Sequence, residues 1–146
     1  MNLNNEVINM REILFRGKTP EDKWLFGTPV KSKGLYEECI EIVEKIVYSL
    51  NEYEPGELAY VDGERVDPKT IGQFTGLLDK NGKKIFEGDI VKFCSGEIRS
   101  VAFDENYSEF EFSRKDPVEN VDGLALCVDH DVCEVIGNIY DNPELR

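Results

Sequence analysis

The chain has little of what enzymes, metal proteins and membrane proteins are commonly built from. Its 146 residues include one histidine, one tryptophan and two methionines. The single histidine, His130, is the one place where a histidine-assisted nucleophile could be built, and GxSxG, HExxH and glycine-rich phosphate-loop patterns are all missing. No apolar run approaches the ~20 residues that a membrane-crossing helix needs. The opening residues, MNLNNEVINM, lack the basic start and apolar core of a secretory signal, so the expected location is the cytoplasm. Positive charge is scarce too: 17 Lys and Arg stand against 30 Asp and Glu, a net charge of −13. Such a surface repels a phosphate backbone, because nucleic-acid binding runs on counterions released by a basic face.

Four cysteines, Cys39, Cys94, Cys127 and Cys133, are too few to staple a chain of this length, and in a reducing compartment they are expected as buried thiols. Cys127, His130 and Cys133 fall within seven residues, and Cys94 or Cys39 could supply a fourth zinc ligand. The spacing is not that of a CxxC knuckle, and the expectation is no metal and no cofactor. A calcium loop starting at Asp79 would need oxygen ligands where Lys83 and Ile90 stand and a glycine where Lys84 stands. Carboxylates are plentiful, yet abundance selects none of them for acid–base work. The chain is therefore not expected to be an enzyme, and no catalytic residue is assigned.

What is present is a series of short apolar and β-branched runs separated by turn residues. REILFR (11–16) and WLFGTPV (24–30) flank GKTPEDK, which has loop composition. CIEIVEKIVYSL (39–50) fits both a helical stripe and a strand's alternation, and its β-branched residues favour strand. The stretch DKNGKKIFEGDIVKF (79–93) predicts a hairpin joining TGLLD to KKIFE through a type I′ turn at Asn81-Gly82, followed by a further strand from Asp89. EIRSVAF, EFEFS, GLALCV and VCEVIGNIY complete the series. Many short strands with frequent turns predict a mainly β barrel or sandwich. TIGQFTG (70–76) and VIGNIYD (135–141) share a glycine, read as a point of close backbone approach.

MREILFRGK (10–18), KWLFG (23–27), VDPKTIGQFTGLLDKNGKKIFEGDIV (66–91) and VIGNIYDNPEL (135–145) resemble, in order, the blocks of the YopX-like family of small phage and prophage proteins. The resemblance implies an SH3-like small β-barrel of antiparallel strands, a phage or prophage origin and a bacterial host. It implies no activity. Residues 1–9 then form an N-terminal extension, expected to be flexible, and 10–146 a single domain. Residues 35–65 match no block and are expected as an irregular insertion.

On this basis the expected role is a non-enzymatic module that binds a protein partner or itself, since small barrels leave strand edges that can pair. Its partner-binding residues are not legible in the sequence. The alternative is a nucleic-acid-associated regulator using the least acidic stretch, where Lys83, Lys84, Lys92 and Arg99 accompany Phe86 and Phe93. In its mirror image, the acidic remainder imitates nucleic acid. The competing expectation for the hairpin is purely structural: Ile85, Ile90 and one of the two phenylalanines buried, with the lysines guarding an exposed edge.

Overall fold

A computed structural model describes residues 11–33, 38–43, 45–48, 58–61, 63–113, 124–125 and 129–145. The expected N-terminal extension and Cys127 lie outside these residues. Among those described, strands dominate and no helix is long and apolar enough to cross a membrane.

The first sheet gathers β1 (Phe15–Lys18), β2 (Trp24–Lys33), β3 (Glu38–Val43), β6 (Glu64–Arg65), β7 (Asp67–Leu78) and β8 (Lys84–Phe86), in the order β6-β3-β2-β1-β7-β8. The second contains β9 (Asp89–Phe93), β10 (Ile98–Asp104), β11 (Glu109–Ser113), β12 (Leu124–Ala125) and β13 (Cys133–Asn138), in the order β12-β11-β10-β9-β13. A separate ribbon pairs β4 (Lys45–Tyr48) with β5 (Leu58–Val61). Every pairing is antiparallel. The segment that fitted both helix and strand is strand: β3 lies along β2, and β6 along β3. Within 35–65, the described residues thus extend the first sheet and add the ribbon.

The mainly β class is as the sequence predicts, but the two large sheets are open, each with two edge strands, and do not close into one barrel. The chain crosses between them at Glu87-Gly88. There the Phe86 N–H donates to the Asp89 carboxylate at 2.8 Å, the Glu87 N–H still bonds Gln73 O on β7, the Gly88 N–H bonds Val101 O on β10, and Gly88 takes φ +86°. A side chain at position 88 would meet the Tyr140 ring at 3.2 Å, so this corner requires glycine for space as well as for φ.

The core lies between the β7–β8 end of the first sheet and the inner face of the second. Ile85, Val91, Val101, Phe112, Cys133 and Val135 form it, with Leu77, Phe93 and Phe110 packed against its rim. Cross-strand partners Val91 with Val135, Val101 with Phe112 and Phe93 with Cys133 put these side chains on one face by the two-residue period of the pleat. The opposite face of the first sheet carries Phe26, Phe74 and Phe86 in edge and tilted contacts. Ile85 and Phe86, adjacent in β8, are therefore both buried because each face has its own cover. Ile90 is buried as expected, whereas Phe93 is half-buried.

The hairpin between β7 and β8 forms, with a different turn. Only Gly82 has a positive φ, at +79°, and Asn81 does not. The Gly82 N–H donates to Asp79 O and the Asp79 N–H to Lys83 O, so three residues, not two, make the connection. The Asp79 carboxylate selects this form: Oδ1 accepts the N–H groups of Asn81 and Lys83, and Oδ2 accepts that of Val135 on β13. Burial pushes the Asp79 carboxyl up, but these three hydrogen bonds outweigh it and hold it below the ordinary range. The glycines of the two similar heptapeptides differ in what approaches them: the Glu87 backbone carbonyl crowds Gly72, and the Asn142 side chain crowds Gly137.

Candidate functional site

Two places gather polar or aromatic side chains from distant parts of the chain. The first is centred on Arg16. Its Nη2 lies 2.7 Å from the Asp89 carboxylate and also donates to Glu87 O, while the guanidinium carbon stands 4.8 Å from the Trp24 ring centroid and 4.9 Å from that of Phe86. Arg16 Nε is buried with no partner among the described residues. Burial pushes the Asp89 carboxyl up, and the charge of Arg16 with the Phe86 N–H only partly offsets it. Beside this pair, Asp141 accepts from Lys18 Nζ at 2.7 Å, Trp24 Nε1 at 2.7 Å and Asn138 Nδ2 at 2.9 Å. The hydrogen bond from Lys18 leads the causes that hold Asp141 down to about 2. Tyr140 reaches the Lys69 carbonyl and stacks at a tilt on Trp24. Apart from Arg16 Nε, the hydrogen bonds of Arg16 and Asp89 among the described residues go to each other and to the backbone, so the cluster is a brace tying β1, β2, the sheet-to-sheet corner and the C-terminal turn.

The second place is a cleft of about 550 Å³ between β7 and the β10–β11 hairpin, lined by Gln73, Thr75, Gly76 and Leu77 on one side, Phe103, Ser108, Glu109 and Phe110 on the other, and Arg11. Phe103 and Phe110 are direct cross-strand partners on the face that carries the core, and their rings meet edge to face at 5.2 Å. The cleft is thus the core opening to solvent where the two sheets part. Phe103 remains 44% exposed there and the neighbouring Tyr107, at the hairpin tip, 78%. Ser108 holds a left-handed φ of 53°, a conformation unusual for serine, and turns the hairpin at the cleft's rim. The cleft's volume lies in the range of binding clefts, and its lining sets three apolar side chains, Leu77, Phe103 and Phe110, among five polar ones.

Of the residues singled out for nucleic acid, Arg99 is buried and the other three are wholly or partly exposed. Lys83 is exposed at the turn, and Lys84 pairs with Glu12 at 2.9 Å and lies over the Phe74 ring. Lys92 is exposed on the second sheet. Arg99, cross-strand from Val91, faces inward: it is 5% exposed, gives Nη1 to Phe112 O and pairs with Glu97 at 2.9 Å.

Among the described residues, which leave out Cys127, no three His, Cys, Asp or Glu side chains gather as a metal group. His130 Nδ1 is 2.7 Å from Leu78 O, Cys133 is in the core with its thiol pushed up to about 11 mainly by burial, and Cys94 is exposed with its Sγ directed at Val132 O. Cys39 is half-buried on β3. β12 and β13 lie at opposite edges of the second sheet.

None of Arg11, Phe103 and Phe110 was legible as a site residue, because the cleft is made by strands distant in sequence. The Arg16 cluster had a signal: RGK, W, EGD and NIYD each lie in one of the four resembling segments. The fold and these shared positions define a small, mainly β protein of open antiparallel sheets whose similar segments converge on one brace. A family model described as YopX protein matches residues 14–145, and the chain belongs to that family. A solved structure, the crystal structure of protein EF1440 from Enterococcus faecalis, is similar with a TM-score of 0.59 and 26% identity, over 93% of this chain and 99% of that one. No curated protein matches the chain.

Proposed function

We propose that the protein is a non-enzymatic binding module of phage or prophage origin that engages a protein partner in the cytoplasm of a bacterial host. The observation that carries this reading is the cleft, in which an aromatic pair, Phe110 half-buried and Phe103 exposed, continues the hydrophobic core to the surface. Aromatic anchors beside a packed core are the residues that dominate protein–protein binding energies. The origin rests on the family resemblance. A non-catalytic role is favoured by the absence from the cleft's lining of histidine and cysteine and by its single carboxylate, Glu109.

The test is affinity capture from host lysate with the parent chain and with Phe103→Ala in parallel. Partners retained by the parent and lost by the variant support the reading. A partner set indifferent to Phe103 counts against it, and turnover of a captured small molecule would replace it with an enzymatic one.

A further inference from the structure

β13 is an edge strand of the second sheet, and its outward hydrogen-bonding groups are taken by the turn between β7 and β8, not by another strand. In an antiparallel ladder alternate residues turn their N–H and C=O away from the neighbouring strand. Cys133 and Val135 are such residues: Phe93, the partner of Cys133, gives its N–H to Glu97 O and not to β13. The Cys133 carbonyl accepts the Lys80 N–H at 3.0 Å, and the Val135 N–H donates to Asp79 Oδ2 at 2.9 Å. Two further links flank these. Lys80 Nζ lies 3.6 Å from the Glu134 carboxylate, and His130 Nδ1 is 2.7 Å from Leu78 O, a carbonyl that can only accept. Past the register shift after Val135, Asn142 closes the end of the strand: its Oδ1 accepts the Asn138 N–H at 3.3 Å, and its N–H donates to Asn138 O at 2.9 Å.

The strand beneath this cover is of a kind that pairs readily. Cys133–Asn138 has one charged residue, Glu134, and two β-branched ones, Val135 and Ile136. An edge of that composition is a template for another chain unless something covers it. By contrast β6, at an edge of the first sheet, is only two residues long and carries Glu64 and Arg65. Asp79 holds the cover at both ends, because Oδ1 fixes the turn through the Asn81 and Lys83 N–H groups while Oδ2 holds β13. We propose that the β7–β8 turn is a guard on the β13 edge, latched by Asp79, and that release of the latch lets β13 pair antiparallel with β13 of a second copy. Pairing of one strand with itself about a two-fold axis is isologous and needs no other surface. This inference is independent of the cleft and of the binding reading above.

The test compares the full chain with Asp79→Ala and with Val101→Ala, a buried change on the central strand β10 that weakens the core without touching the guard. Mass is measured by light scattering after size exclusion over a range of concentrations. The buffer holds about 0.15 M salt, where a Debye length of roughly 8 Å screens the net charge of −13. Amide exchange is followed by NMR on the same samples. The expected result is an Asp79→Ala mass that climbs toward twice the parent's as concentration rises, while Val101→Ala keeps the parent's mass. In dilute Asp79→Ala the Val135 amide should exchange about ten-fold or more faster than in the parent, and protection should return as the mass climbs. A folded Asp79→Ala that keeps the parent's mass at every concentration overturns the inference. So does equal association of Val101→Ala, which would trace it to lost stability, or protection that returns only outside 133–138. Should Asp79→Ala be unfolded by circular dichroism, two milder variants are read by the same criteria: Asn142→Ala, and Asp79→Asn, whose amide has one acceptor oxygen where the carboxylate has two.

Discussion

Arg16 Nη2 lies 2.7 Å from Asp89 Oδ1, with the two side chains 9% and 2% exposed. The pair joins β1 of one sheet to the first residue of β9 in the other, and the second Asp89 oxygen holds the Phe86 N–H at the corner between them. Removing one member leaves the other charged and buried, which commonly costs about 3–5 kcal/mol. Asp89→Ala should therefore rank among the most destabilising single changes, read as a fall in the urea midpoint. A loss below about 1 kcal/mol, the range of a surface pair, would show that water reaches Arg16 in solution.

Asp141 sets part of the acid response. Its folded-state value is depressed from the ordinary 3.8 to about 2, chiefly by the Lys18 hydrogen bond. A depressed carboxylate contributes stability that is present above pH 3.8 and disappears as pH falls from there toward 2. Asp141→Asn should flatten the stability profile in that window and leave its slope near neutrality unchanged. Equal slopes for parent and variant between those pH values would remove Asp141 from the account.

Gly82 has φ +79° with nothing within 4 Å of a side chain placed there, so any cost of substitution is conformational, not steric. Gly82→Val should destabilise by about 1–3 kcal/mol and Gly82→Asn by distinctly less, because asparagine tolerates the left-handed region. Asp79→Ala orphans three N–H groups and should cost about as much or more. Urea titrations of the three variants check the order. A harmless Gly82→Val would mean the turn rearranges.

Thiol reactivity should separate two cysteines. Cys94 is exposed, whereas the Cys133 thiol is in the core and pushed up to about 11. Iodoacetamide at neutral pH followed by peptide mass mapping should modify Cys94 well before Cys133. Equal rates would indicate that the core opens as readily as the surface.

The class of the fold was legible because it is written locally. Turn residues divide the chain into strand-length runs, and the β-branched residues of 39–43 form β3 as their composition suggests. The turn at Asn81-Gly82 was misread for a physical reason: the same dipeptide serves two turn types, and the choice is made by Asp79, whose carboxylate is fixed by Val135 far along the chain. Arg99 reads as a surface cation in isolation, yet its register opposite Val91 turns it inward to Glu97 and Phe112. The barrel implied by resemblance is found as two open antiparallel sheets, the chain passing from one to the other where the Glu87 N–H bonds Gln73 O on β7 and the next N–H, of Gly88, bonds Val101 O on β10. The cleft was invisible for a simpler reason: its two sides, 73–77 and 103–110, belong to strands of different sheets that are distant in sequence.

The central claim is that the cleft, and not the lysine-bearing hairpin, is the face that binds. The most direct measurement is isothermal titration of the captured partner into the parent chain, Phe103→Ala, and the double variant Lys83→Ala with Lys84→Ala. The account predicts affinity about ten-fold or more weaker for the Phe103 variant and unchanged, within about 0.5 kcal/mol, for the lysine variant. The reverse pattern, with affinity lost alongside the lysines and retained without Phe103, would contradict it.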